Sequence, residues 1–395
     1  MPYDLWRGVD AAGLEALVKS APLPSPSPVL AGLTARALAT GDPADEEEAL
    51  LRIEALRKAG RIDEAVAVSE KAARTGAPAL LAAYALTLLA SGRADEACEV
   101  NLGEALPALR EGVAKEALLV PVYCAATGGD LPAAKLALQL ARDRGADVAV
   151  AAAVLAQQPP STPKQAGVLD YLFLSLGKKR PAPELAAKAE PELLFLLAHD
   201  GTAPAELRAA AAERAASLNV ISGEALARAY REAAKALPKS AQSPPALRAK
   251  LFASFENAPS AKIRAESISA LLAGAREEGI EVPIAEALAQ ANAKLIEEPQ
   301  AAAFAETGVK VAALAGDEES AWSWIDAGGE RLKSFELLLA ATDPLGPKAE
   351  TALAQGVELV RSGALPPPLL HRLVTVLDAL DYNVPIPLWN EAGKT

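Results

Sequence analysis

Proline falls in clusters along this chain, and alanine- and leucine-rich segments with charges at helical spacing run between them. The clusters are Pro22, Pro24, Pro26 and Pro28; Pro159, Pro160 and Pro163; Pro181 and Pro183; Pro244 and Pro245; and Pro366, Pro367 and Pro368. Proline removes a backbone donor and stops helices, so the clusters act as punctuation. Valine and isoleucine do not alternate with polar residues, so no strand is expected. The pattern predicts an all-α chain of about 17 helices, each of roughly 10–18 residues. Loops of about two to eight residues favour antiparallel helical hairpins. Ser222-Gly-Glu places a small polar cap before the segment Ala225–Leu237. Asp45 and the acids through Glu48 open another helix, where negative charge suits the positive end of the dipole.

The chain has 395 residues, enough for one large domain or two to three ordinary ones. Apolar residues make up 51% and aromatics only 4%, so alanine, leucine and valine must fill the interior. This excludes a disordered chain and a disulfide scaffold. The 39 basic and 51 acidic residues give a net charge of −12. That argues against a general binder of nucleic acid or anionic membrane, which needs a basic field. No apolar run approaches the roughly 18–20 residues of a membrane span. The longest, Ala79–Ala90 and Val148–Ala156, read as core.

A repeat lies beneath the helical pattern. Gly60, Ala65 and Ala72 stand at offsets of five and seven. Gly92 and Ala97 keep the first offset, with Glu104 in place of the second alanine; Gly129, Ala134 and Ala141 keep both. A fourth copy reads Gly316, Ala321 and Gly328. The glycine suits a turn of positive φ. The acidic residue after it is expected to cap the second helix. The alanine five residues later suits a close crossing of two helices.

These residues resemble the tetratricopeptide repeat, a helix–turn–helix of about 34 residues. The resemblance covers about Asp45–Asp147, with echoes near Phe304–Gly329. It implies an α-solenoid, a superhelix of stacked hairpins. The remainder is similar to the non-catalytic helical superhelix of soluble lytic transglycosylases. The expected division is a Pro-rich capping segment over 1–44, repeats over 45–158, and irregular hairpins over 159–395.

Residues that could carry chemistry are few. The only histidines are His199 and His371. His199 ends an apolar helix, where a helix terminus favours it, and His371 opens an amphipathic one. Gly128-Gly129-Asp130 lacks the Lys-Ser/Thr of a phosphate loop and reads as a repeat turn. The tight basic cluster Gly177–Arg180 reads as a solvated helix end. The acid pairs Glu277-Glu278 and Glu297-Glu298 read as exposed faces. Glu266-Ser267 matches the catalytic dipeptide of lytic transglycosylases but lacks its flanking residues, so that mechanism is set aside. Trp322 and Trp324 diverge by about 200° on a helix, placing one in the core. The tail around Trp389 is expected to dock on the last helices.

The expected function is therefore non-enzymatic, with no cofactor and no metal. A partner protein would present a peptide or helix to a concave face lined by the first helix of each unit. That face carries Glu47, Glu54, Arg57 and Lys58, then apolar Ala79, Ala82, Leu86 and Leu89, then Glu116, Leu119 and Tyr123. Its apolar floor is either open or covered by the N-terminal segment. The resemblance implies a subunit of a bacterial cell-envelope assembly of the motility or secretion type; the alternative is a wall-associated enzyme subunit whose catalytic part lies elsewhere. Cys98 and Cys124 fall on neighbouring helices and are expected as two buried thiols, with a disulfide as the alternative. Met1-Pro-Tyr-Asp-Leu-Trp does not read as a signal peptide. Met1, the only methionine, is read as replacing a removed leader. With the Pro-rich start, this favours a periplasmic location over a cytoplasmic one.

Overall fold

The computed structural model describes residues 11–102, 115–160, 163–178, 181–346 and 348–394. The chain is all-α, 71% helical. Among the described residues the one strand-like feature is a single bridge between Ala166 and Ala189. The helices are more numerous than about 17, because several are short, such as Ala94–Glu99, Ala149–Leu155 and Leu185–Lys188. Two compact units form, Met1–Lys250 and Leu251–Thr395.

In the first unit the repeat glycines turn as their spacing predicts. Gly60, Gly92 and Gly129 have φ of +71°, +82° and +80°. Each following alanine, Ala65, Ala97 and Ala134, is 0% exposed. The helix pairs Glu46–Lys58 with Ile62–Ala73, Pro78–Ala90 with Ala94–Glu99, and Leu119–Thr127 with Leu131–Asp143 pack as hairpins. The capping expectation holds where the acid directly follows the glycine: Asp130 accepts from the Ala133 amide at 3.0 Å. It fails at the first two turns, where Arg61 and Arg93 occupy the cap without a side-chain bond. A guanidinium has no acceptor. These arginines pair instead with Glu64, at 2.6 Å, and Glu96, at 2.5 Å, one turn into the helix.

Long-range contacts then draw the first unit together. The helix Pro191–His199 packs against both Glu46–Lys58 and Pro78–Ala90. The Tyr123 ring meets Phe173 edge-on at 5.8 Å. Asn219 donates to the Ser25 carbonyl at 2.9 Å, tying the N-terminal segment to residues 194 positions away. At Gly60 a Cβ would stand 2.6 Å from Val220 Cγ2, so this turn needs glycine for close approach as well as for φ. A buried charge network holds Ala205–Ser217, Gly223–Ala236 and Pro244–Glu256 together. Glu213 accepts from Tyr230 Oη at 2.6 Å and from Arg248 Nε at 2.8 Å and Nη2 at 2.6 Å.

The second unit holds the fourth repeat copy. Gly316 has φ of +70°, Asp317 accepts from the Ser320 amide at 3.1 Å, and Ala321 is fully buried. Trp324 is buried against Gly308, while Trp322 is half-buried and donates to Glu318 at 3.2 Å. Asn292 donates to the Gly308 carbonyl at 2.9 Å beside them. The tail docks as expected on the last helices, but its anchor is Leu388, seated against Gly356 and Leu353's cluster. Trp389 is 39% exposed.

Candidate functional site

Glu54, Arg57 and Lys58 stand at i, i+3 and i+4 on Glu46–Lys58 and so share one face. Opposite them, Pro191 starts the helix Pro191–His199, with Glu190 at its cap and Glu192 in its first turn. Proline suits this position because its fixed φ is helical and its missing donor is not needed. Together with Leu86 and Glu116 these residues line a cavity of about 900 Å³. Lys164, Lys188 and Arg214 complete its charged wall, and Leu23 and Pro24 form part of its rim.

Arg57 is the centre of the site. Its Nε donates to Glu192 Oε2 at 2.8 Å, and its Nη2 to Glu192 Oε1 at 3.1 Å and Glu116 Oε2 at 3.0 Å. Arg57 and Glu192 are both buried. Burial works against the Arg57 charge, but Glu192 and Glu116 outweigh it and hold its pKa above the usual arginine value. For Glu192, burial is the largest influence and raises the carboxyl; Glu116 and Glu190 add repulsion, Arg57 opposes, and the result is about 7. Glu190 is raised too, first by burial and then by Glu116. The inner wall is thus crowded with carboxylates around one guanidinium. Lys58, Lys164 and Lys188 are exposed at its edge.

The structure brings Glu54, Arg57, Lys58, Leu86 and Glu116 of the expected face together. It removes the expected apolar floor. Ala82, Leu86, Leu89, Leu119 and Tyr123 are buried rather than presented. The helix Pro191–His199, whose Leu193, Leu194 and Leu197 are themselves buried, packs against Pro78–Ala90, while Val168–Leu176 packs against Leu119–Thr127 and sets Phe173 edge-on to Tyr123. An apolar helix face and an apolar helix bury each other, and what stays open is the charged margin. Glu190, Glu192, Lys164, Lys188 and Arg214 were not anticipated. The available signal was Glu190-Pro191-Glu192, two acids set at the head of an otherwise apolar helix.

His199 turns its Nδ1 to the Phe195 carbonyl at 2.8 Å and stacks on Phe195, as a helix-end residue. Its neighbour Asp200 is engaged by Tyr171 Oη at 2.5 Å and by Thr202, so the two do not form an acid–base pair. His371 is exposed. Glu266 is exposed beside Lys262. Of the basic cluster, Lys179 and Arg180 lie outside the described residues, as does Glu104.

Cys98 and Cys124 form a disulfide, with Cα atoms 5.4 Å apart. This corrects the expectation of two buried thiols: Cys98 is exposed, and the bond staples Ala94–Glu99 to Leu119–Thr127. Among the described residues no helix is long and apolar enough to cross a membrane. No protein-family model, curated protein or solved structure matches the chain.

Proposed function

We propose that this protein is a non-enzymatic binding scaffold, and that its charged basin receives a segment of another protein. The basin around Arg57 carries this reading. It has peptide-sized volume, charges of both signs, and an inner wall where clustered carboxylates would gain from a cationic group. The lysines at its edge suit acidic flanks on the same segment. The glycine turns and buried crossing alanines support a tetratricopeptide-like superhelix as the frame. The disulfide supports an oxidising compartment, which fits a periplasmic member of a cell-envelope assembly.

Site-specific photo-crosslinking in cells tests this. A crosslinking residue placed at Lys58 or at Lys188 should yield one adduct of common mass. The same residue at Glu277, on the second unit, should not. Equal adducts from all three positions, or none from the basin positions, would overturn the reading.

A further inference from the structure

A second surface lies on the first unit, away from the basin. Leu131, Lys135, Leu138 and Arg142 follow i, i+4, i+7 and i+11 on Leu131–Asp143, and so share one face. With Ala149–Leu155 this face forms an open trough of about 510 Å³. The floor is apolar: Leu138, Ala152, Ala153, Leu155 and Ala156. One turn before Lys135 on the same helix face, Leu131 is 48% exposed. Leu131–Asp143 also packs against Leu119–Thr127, and Ala149–Leu155 against Val168–Leu176.

The charges at the trough are of one sign. Lys135 and Arg142 stand on its wall two turns apart, about 10.5 Å along the axis. Both are exposed, and neither makes a hydrogen bond or ion pair with a described residue. Several other arginines are engaged, Arg61 by Glu64, Arg264 by Glu298 and Arg214 by the Ala186 carbonyl. The nearest acids on the hairpin serve local roles: Asp143 accepts from Gln139, and Asp147 accepts from the Ala149 amide.

We propose that this trough docks an amphipathic helix of a partner protein, bearing an apolar stripe and two carboxylates seven residues apart. The trough between two packed helices has the form that receives a third helix ridge. The floor takes the apolar stripe. Lys135 and Arg142 match the carboxylates in sign and spacing, which gives orientation and register. The site is separate from the basin and does not depend on it.

The test uses the full chain and two synthetic 18-residue helical peptides with a fluorescent label. One carries leucines on one face and glutamates seven apart beside them; the other carries lysines in place of those glutamates. Fluorescence anisotropy should show saturable binding of the acidic peptide and at least tenfold weaker binding of the basic one. The double variant Lys135→Glu/Arg142→Glu should invert that preference while its circular dichroism stays unchanged. Lys58→Glu, at the basin, should leave binding unaltered. Equal affinity for both peptides, indifference to the double variant, or no saturation up to millimolar peptide would overturn the proposal. So would sedimentation showing self-association of the parent that the double variant abolishes, because the occupant would then be a second copy of this chain.

Discussion

Ala134 is 0% exposed on a helix that packs against Leu119–Thr127, as a small residue at a close helix approach should be. Ala134→Leu should therefore overpack the crossing and cost about 1–3 kcal/mol, read from urea unfolding of the intact chain. An unchanged midpoint would show that the crossing lies elsewhere. Glu192 makes a pH prediction. Its carboxyl titrates near 7 when folded against 4.5 as an ordinary glutamate, so the folded chain binds the extra proton between those values. The stability this residue contributes is complete below the unfolded value and disappears as pH rises through about 7. Melting temperature should thus fall from pH 5 to 7.5 more steeply in the parent than in Glu192→Gln. The repeat alanines were legible from spacing alone, because small residues at a fixed offset have few other causes. Glu192 was not legible, because its burial depends on Arg57, and nothing local to either residue announces the other.

Helices carry their own contrast between local preference and packing. Gly274 and Gly308 both sit in helices, Ala261–Arg276 and Ala301–Ala315, where alanine is intrinsically better by about 1 kcal/mol. A Cβ at Gly274 meets nothing within 4 Å, so Gly274→Ala should stabilise by roughly 0.5–1 kcal/mol. A Cβ at Gly308 would collide with the Trp324 ring, so Gly308→Ala should destabilise by about 1–3 kcal/mol despite the same propensity gain. Thermal melts of the two variants, run beside the parent, should move in opposite directions. Element type was readable throughout, since proline and helical periodicity are local signals. Which element covers which was not. The apolar face of Pro78–Ala90 could be recognised as needing a partner. That the partner is Pro191–His199, about a hundred residues away, is fixed only by the path of the intervening chain.

Across the whole chain, the disulfide is the covalent tie, closing a loop of 26 residues between Cys98 and Cys124. Loop-closure entropy puts its contribution at about 3–4 kcal/mol. Cys98→Ser/Cys124→Ser should lose about that much in chemical denaturation, and a reductant should lower the parent's midpoint toward the variant's. Coincident curves with and without reductant would show that the staple adds nothing. The pairing of Arg57 with Glu192 has a consequence in time. The two residues are 135 positions apart. At translation rates of about 5–20 residues per second, Arg57 leaves the ribosome roughly 7–27 seconds before its counter-ion. Its other carboxylate partner, Glu116, follows after only 59 positions, so Arg57 gains one counter-charge well before Glu192 emerges. The buried pairing at the centre of the site is therefore complete only once the helix Pro191–His199 has been made.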